Sequence, residues 1–139
     1  MTRQTVLCGR GIVEGKCKAE ALVSVKPISF LGDVDVATGK IIEKSSDIYG
    51  ECIKGKVLCF PHGHGSTVGS YVLYALFKNG FAPKAIINRK ADPVIVVGAV
   101  IANIPMVDRV DVSQIKTGDV IEVDAYTGLV KILEAIKEG

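Results

Sequence analysis

The segment PHGHGST at residues 61–67 holds the densest group of side chains that could do chemistry. Its glycines, Gly63 and Gly65, would allow a positive φ and a close approach of the backbone to a ligand. Three hydroxyl side chains could orient the oxygens of that ligand, namely Ser66, Thr67 and Ser70. A helix predicted to begin here adds unpaired amide groups and the positive end of its dipole. The sequence therefore predicts a site for a carboxylate or a phosphate.

The same segment also fits a purely structural role, in which Ser66 or Thr67 caps the helix and the glycines make a turn. It is not a Walker loop, because no Lys follows the second glycine, and it lacks the third glycine of a dinucleotide fingerprint. His62 and His64 do not have the spacing of a metal-binding pair. Histidines, glycines and three hydroxyls within nine residues exceed what a cap requires, so we favour the anion site.

Two further groups of residues could contribute to a site. Arg10 is flanked by Gly9 and Gly11 inside a predicted strand, a pattern more typical of a β-bulge than of a binding site. Residues 88–90, NRK, follow the end of another predicted strand, where the functional residues of α/β proteins gather. We therefore include Asn88 among the residues expected to line the site.

The spacing of apolar residues predicts the elements that must position these side chains. Residues 56–60 form a short buried strand that delivers the chain to the loop, and residues 84–88 form another. A helix is predicted over 68–77, with Asn79-Gly80 as its stop. A second helix is predicted over 93–102, after an Asp-Pro start, although its β-branched residues leave a strand as an alternative.

The remaining segments are predicted to be rich in β structure. Residues 5–13 and 19–25 read as strands joined in a hairpin through the turn at 14–16. The last segment, 119–132, is predicted to be a second hairpin with its turn at 126–128. Bends or extended stretches complete the chain at 27–32, 37–40 and 104–107.

Length and hydropathy limit the class of protein. The 139 residues predict a single domain over 1–139. Hydrophobic residues make up 48% and the mean hydropathy is +0.35, which predicts a buried interface with a partner. The longest nearly apolar run, 93–102, has ten residues, about half of a membrane span. The N-terminus has no signal-peptide pattern, so we expect a cytoplasmic protein that does not cross a membrane.

Charge and cysteine spacing argue against two further classes. The net charge is +2, with 17 basic and 15 acidic side chains mixed along the chain, so no basic stripe indicates a nucleic-acid partner. No C-x-x-C pair is present to begin a zinc or iron–sulfur site. We expect reduced, mostly buried thiols at all four cysteines: Cys8, Cys17, Cys52 and Cys59.

Three stretches make the chain resemble the small subunit of the aconitase X family over nearly its whole length: PISFLGDVDVATGKI, FPHGHGSTVGSYVLYAL and INRKADPVIVVGAVIANIPMVD. The resemblance implies an α/β fold, a swivelling β/β/α domain with a β-rich, barrel-like body and about two helices, similar to the aconitase swivel domain. It also implies a large partner subunit that holds a [4Fe-4S] cluster through its own cysteines.

The resemblance further implies that Ser66 is the proton acceptor at the carbon next to the substrate carboxylate. The residues expected to bind the substrate around it are Gly63, His64, Gly65, Thr67, Ser70 and Asn88. Relatives often carry Arg at the position of His64, so the sequence departs from the family pattern there.

In archaea, the two-subunit members of this family are similar to hydro-lyases that convert 5-phosphomevalonate to trans-anhydromevalonate 5-phosphate, a step of isoprenoid synthesis. We expect that activity, with the large subunit required, in a heterodimer or a larger assembly. Three alternatives stay open: a dehydratase of cis-3-hydroxy-L-proline, a phosphohistidine swivel domain and a non-catalytic binding module. The second is disfavoured because the histidines of this loop precede its hydroxyls, whereas phosphohistidine loops have the reverse order.

Overall fold

The computed structural model describes residues 2–135, which form an eight-stranded sheet with helices packed on one face. The strands are β1 (Thr2–Cys8), β2 (Arg10–Val13), β3 (Lys16–Val23), β4 (Val57–Phe60), β5 (Ala85–Asn88), β6 (Met106–Asp108), β7 (Val120–Asp124) and β8 (Leu129–Ala135). The helices are α1 (Phe30–Asp33), α2 (Gly69–Lys78) and α3 (Pro93–Ala102), with a 3₁₀ turn at Val112–Gln114. The single domain predicted over 1–139 stays a prediction, since residues 1 and 136–139 lie outside the described part.

The sheet has an antiparallel half and a parallel half that share β3. Its strand order is β1-β8-β7-β3-β4-β5-β6-β2, with parallel pairing from β3 through β6. The strands β1 and β2 stand at opposite ends of this order, although only Gly9 separates them in sequence. The sheet must therefore curve until its two ends meet, which makes the body barrel-like, as expected.

Close backbone contacts make this closure possible. The amide of Gly9 donates to the carbonyl oxygen of Gly128 at 2.8 Å, which joins the junction of β1 and β2 to the turn before β8. A Cβ atom at Gly11 would collide with the carbonyl oxygen of Ala125. The glycines on either side of Arg10 therefore let two strands and a turn approach one another, a role typical of glycine in strands.

The hairpin predicted between the first two strands is wrong. The predicted strand over 5–13 is divided at Gly9, and its second part, β2, pairs with β6 rather than with β3. The strand β3 pairs instead with β7 and β4. The turn signal at 14–16 correctly predicts where the chain reverses direction. The strand with which each segment pairs depends instead on residues far away in the sequence.

Both faces of the parallel strands are buried, as such sheets require. In β4, Leu58 and Phe60 belong to a core shared with the helices, whereas Val57 and Cys59 belong to a second core on the other face. This alternation follows from the two-residue period of a strand. Each large side chain buried in this way contributes about 1.5–3 kcal/mol, so the strands before the loop are firmly held.

The helix α3 has the predicted bounds, and the strand alternative for that segment is wrong. The side chain of Asp92 accepts a hydrogen bond from the amide of Val94 at 2.9 Å, and Asn103 ends the helix in the left-handed region with φ 55°. The helix α2 is confirmed too, but Val68 and not Ser66 or Thr67 is its N-cap. Within the described residues, no helix has the length and apolar composition to cross a membrane.

Several apolar side chains of the helices lie at the surface. The most exposed of them are Val68, Tyr71 and Phe77 on α2, and Val97, Val100 and Ile101 on α3. The interface expected from the hydrophobic composition stays a prediction, and these side chains are the surface that it would use.

The cysteines are free, but the expectation that most are buried is wrong. Only Cys59 is fully buried, and burial raises the pKa of its thiol far above the ordinary value. Cys17 and Cys52 are half-buried and Cys8 is exposed. The difference in exposure follows from position. Cys59 lies on β4, which is covered on both faces, whereas Cys8 is the last residue of β1, next to Gly9.

A nearly buried carboxylate joins the closure of the sheet to α3. Asp108, 1% exposed, accepts hydrogen bonds from Arg10 Nε at 2.9 Å and Nη2 at 2.8 Å. It also accepts from the amide of Ala91 at 3.0 Å. Burial alone would raise the pKa of Asp108, but the hydrogen bonds and the charge of Arg10 outweigh burial and hold that pKa below its ordinary value.

Replacing Asp108 should therefore destabilise the fold. We expect Asp108→Ala to lower the free energy of unfolding by about 1–3 kcal/mol at neutral pH, because the Ala91 amide and the Arg10 guanidinium lose their partner. Glu122→Ala is the matched control with a smaller effect, since Glu122 makes only a long ion pair, at 3.9 Å, with Lys18 at the surface. Urea unfolding measures both.

The stabilisation by Asp108 should also depend on pH in a defined direction. A carboxyl group whose pKa is lowered in the folded state stabilises the fold above its unfolded pKa of about 3.9. That contribution is lost as the pH falls through the lowered pKa. The difference in stability between the wild type and Asp108→Ala should shrink below about pH 4, and a difference independent of pH would contradict this account.

Candidate functional site

The connections that follow β4 and β5 begin side by side at one edge of the sheet. Phe60, the last residue of β4, is paired in register with Asn88, the last residue of β5. The carbonyl oxygen of Pro61 accepts hydrogen bonds from the amides of Arg89 at 3.0 Å and Lys90 at 3.2 Å. The segment after β5 therefore holds the first residue of the predicted anion loop in place.

The other side of the loop is fixed by the segment before α1. The amide of Ile28 donates to the carbonyl oxygen of His62 at 3.3 Å, and the amide of His64 donates to the carbonyl oxygen of Ile28 at 3.2 Å. Gly63, between the two histidines, is buried, and a Cβ atom there would collide with the side chain of Ile95 on α3. Gly63 is therefore required for close packing; the predicted positive φ is found at Gly65 and not at Gly63.

The tip of the loop is exposed and presents unpaired backbone donors. Gly65 has φ 92° and turns the chain toward α2. The amides of Gly65, Ser66 and Thr67 find no hydrogen-bond acceptor within residues 2–135. The Oγ atom of Ser66 accepts a weak hydrogen bond from the amide of Val68 at 3.2 Å, so its hydroxyl hydrogen stays available.

This tip can hold a negative charge. Three successive unpaired amides lie directly before the N-terminus of the ten-residue helix α2, next to Ser66. A serine alkoxide or a ligand carboxylate in that position would receive hydrogen bonds and the favourable field of the helix. The unpaired amides are compatible with the anion site predicted from the sequence, which stays a prediction.

Two of the residues expected to bind the substrate are buried. The hydroxyl of Ser70 donates to the carbonyl oxygen of Val94 at 2.8 Å and links α2 to α3. The Nδ2 atom of Asn88 donates to the carbonyl oxygen of Phe60 at 2.9 Å, while its Oδ1 atom has no partner within the described residues. Both side chains are therefore bound to the backbone of neighbouring elements, and their contact with a substrate stays a prediction.

The two histidines point to opposite sides of the loop. His64 lines a depression of about 540 Å³, together with Lys26, Pro27, Asp33, Glu43, Ser45 and Ser46. His62 lines another of about 340 Å³, together with Gly63, Lys90, Ala91, Asp92 and Pro93. A third depression, of about 400 Å³, lies on β3, β7 and β8 and includes no residue of the loop.

The His64 side carries acidic groups that the motif did not indicate. Asp33 and Glu43 both line it, and hydrogen bonds from the amide and the hydroxyl of Ser45 lower the pKa of Glu43. Farther along the same connection, the carboxylate of Asp47 accepts from Ser24 Oγ at 2.7 Å and from the Val25 amide at 2.8 Å. These residues lie about 20 to 40 positions from the loop in sequence, and no local pattern connects them with it.

No group of three or more His, Cys, Asp or Glu side chains in the described part of the chain could hold a metal ion. The Nδ1 atom of His62 lies 2.8 Å from the carbonyl oxygen of Gly63, which can only accept a hydrogen bond, so that nitrogen carries the proton.

Comparisons with known proteins place the chain in a family. The family model for the aconitase X swivel domain matches residues 6–132. A Thermococcus kodakarensis protein named phosphomevalonate dehydratase small subunit is 58% identical, over 92% of this chain and 96% of its own length. The protein of the same name from Methanocaldococcus jannaschii is 53% identical, over 91% of this chain and 97% of its own length.

Solved structures show the same fold. The crystal structure of Thermococcus kodakaraensis aconitase X in its holo-form has a TM-score of 0.92 and 57% identity, covering 94% of this chain and 99% of that chain. The solution NMR structure of a UPF0107 protein has a TM-score of 0.83 and 47% identity, covering 96% and 100%. With this sheet, this loop and these relatives, the chain belongs to the aconitase X swivel-domain family.

Proposed function

We propose that this chain is the small subunit of a two-subunit hydro-lyase that dehydrates (R)-5-phosphomevalonate to trans-anhydromevalonate 5-phosphate. The observation that carries the proposal is the exposed Ser66, placed among unpaired amides at the start of α2, in a chain similar to phosphomevalonate dehydratase small subunits over more than nine-tenths of its length. The enzyme belongs in the cytoplasm and supplies isoprenoid synthesis.

In this reaction Ser66 removes the proton from the carbon next to the substrate carboxylate, and the hydroxyl group on the neighbouring carbon leaves. A neutral serine is a weak base, so its alkoxide must be stabilised relative to the hydroxyl. The amides of Gly65, Ser66 and Thr67 and the positive end of α2 provide that stabilisation without having to reorganise. The side chains of His64 and Thr67, next to these donors, bind the substrate carboxylate.

The large subunit supplies the Lewis acid that the reaction needs. The resemblance assigns a [4Fe-4S] cluster to that subunit, where it would act as the Lewis acid for the leaving hydroxyl. The loop tip is exposed to solvent on this chain alone, so the partner must cover it to exclude water. A swivelling movement of this domain against the partner would admit the substrate and then close the shared site.

Removing the Ser66 hydroxyl should abolish turnover and leave the complex intact. We expect Ser66→Ala to lower kcat by about 10²–10⁴-fold, the usual contribution of a positioned base, in the reconstituted two-subunit enzyme. Thr127→Ala, which removes a hydroxyl from the exposed turn before β8, is the matched control with wild-type kcat. A Ser66→Ala enzyme that keeps more than about a tenth of its turnover would exclude Ser66 as the base.

The conformation of Gly65 should matter for catalysis more than for stability. A Cβ atom there would lie 2.5 Å from Ser29 Oγ, on a residue that also requires a positive φ. We expect Gly65→Ala to shift the tip and lower kcat by about 10–100-fold, since small displacements are costly in active sites.

Gly80→Ala is the control for Gly65→Ala. Gly80 has a similar φ of 81°, and a Cβ atom there would meet nothing within 4 Å. It carries the same backbone penalty, of about 1–2 kcal/mol, at the far end of α2. Equal losses of kcat in the two variants would show that the effect is one of stability and not of loop position.

A further inference from the structure

The segment 28–33 runs beside the loop that carries Ser66 and contacts it at two successive residues. Ile28 exchanges two backbone hydrogen bonds with the histidines of the loop. The next residue is Ser29, whose Oγ atom would lie 2.5 Å from a Cβ atom built on Gly65. A carbon–carbon bond is about 1.5 Å long, so the Ser29 oxygen lies within about 4 Å of the Gly65 Cα atom, which is van der Waals contact.

The residue after Ser29 anchors this segment in the core. Phe30 is 1% exposed, and its ring packs edge-on against the ring of Phe60, with the two centroids 6.2 Å apart. Phe60 is the last residue of β4, directly before the loop. Ser29 and Gly65 are therefore both held close to the same strand end.

A carboxylate determines where the backbone of Ser29 lies. The Oδ2 atom of Asp33 accepts a hydrogen bond from the amide of Ser29 at 2.9 Å. In the other direction, the amide of Asp33 donates to the carbonyl oxygen of Ser29 at 3.1 Å. Leu31 and Gly32, between them, have non-helical backbone angles. The turn at 29–33 is therefore closed by these two hydrogen bonds and not by a regular helix.

We propose that Asp33 is a positioning residue for Ser66. By closing the turn at 29–33, it keeps the Ser29 hydroxyl against Gly65, the residue whose positive φ turns the chain toward α2. The tip of the loop then cannot relax toward Ser29, so the Ser66 hydroxyl and the amides beside it keep one arrangement. This inference rests on the proposed function, because it concerns the placement of the base in that reaction.

The first test replaces Asp33 in the reconstituted two-subunit enzyme. For Asp33→Ala we expect kcat on 5-phosphomevalonate to fall about 10–100-fold with a smaller change in KM, because a displaced base slows the chemical step. Asp33→Asn keeps a side-chain oxygen for the Ser29 amide and should restore most of the loss. A loss in Asp33→Asn as large as in Asp33→Ala would assign the effect to the charge and overturn the positioning role.

Asp119→Ala is the matched control, because Asp119 closes a turn with the same pair of hydrogen bonds. Its Oδ2 atom accepts from the amide of Lys116 at 2.9 Å, and its amide donates to the Lys116 carbonyl oxygen at 3.0 Å. That turn is bonded to Ala21, which pairs with Val57 at the opposite end of β4 from the loop. We expect similar losses of stability to urea in the two alanine variants, but wild-type kcat only in Asp119→Ala. Equal kcat in both variants would overturn the proposal.

The double variant Ser29→Ala/Asp33→Ala shows whether Asp33 acts through Ser29. If it does, kcat of the double variant should be no lower than that of the more affected single variant, since both changes remove the same contact with Gly65. Losses of kcat that multiply would mean that Asp33 acts by another route, and would overturn the proposal.

NMR relaxation of the full chain separates this inference from the proposed function. The amides of residues 65–67 should have order parameters of about 0.85, typical of rigid backbone, in the wild type and in Asp119→Ala. In Asp33→Ala they should fall below about 0.6. Unchanged order parameters in Asp33→Ala would overturn the positioning role and leave the reaction in place. A fall in Asp33→Ala alone, with no turnover of 5-phosphomevalonate by the wild-type complex, would support the positioning of the loop and overturn the reaction.

Discussion

The candidate site depends on backbone hydrogen bonds that hold the base of one loop and leave its tip unpaired. Pro61 accepts two amides from the segment after β5, and Ile28 exchanges two hydrogen bonds with His62 and His64. A loop attached on both sides in this way holds its unpaired amides, those of 65–67, in a fixed position relative to the sheet. The parallel register of β4 and β5, and the two buried cores beneath them, determine where the loop lies.

Local signals in the sequence were sufficient for most of the elements, whereas the roles of the residues in the loop stay proposals. The start of α3 follows from Asp92, whose side chain caps the helix, and from Pro93, whose ring favours the first helical position. The strand β4 follows from a short apolar run before a glycine-rich loop. The pairing of β1 with β8 and of β2 with β6 was not predictable, because it joins residues more than 90 positions apart. Turn signals describe where a chain reverses but not which strand it meets.

The same limit explains what was missed at the site. Ser66 and Gly65 could be proposed from the sequence because their neighbours in sequence are also their neighbours in space. Asp33 and Glu43, which make one side of the loop acidic, come from a connection whose path is determined by packing on α2 and by Asp47. Ser70 has the spacing of a ligand but lies against α3, where its hydroxyl is used by Val94.

The central claim is that this chain completes an active site that the large subunit alone does not have. It is tested most directly by adding this chain in steps to the reconstituted large subunit and following the turnover of 5-phosphomevalonate. The account predicts no turnover before the first addition, then an increase to a plateau when the large subunit is saturated. Turnover at the plateau rate by the large subunit alone would contradict it.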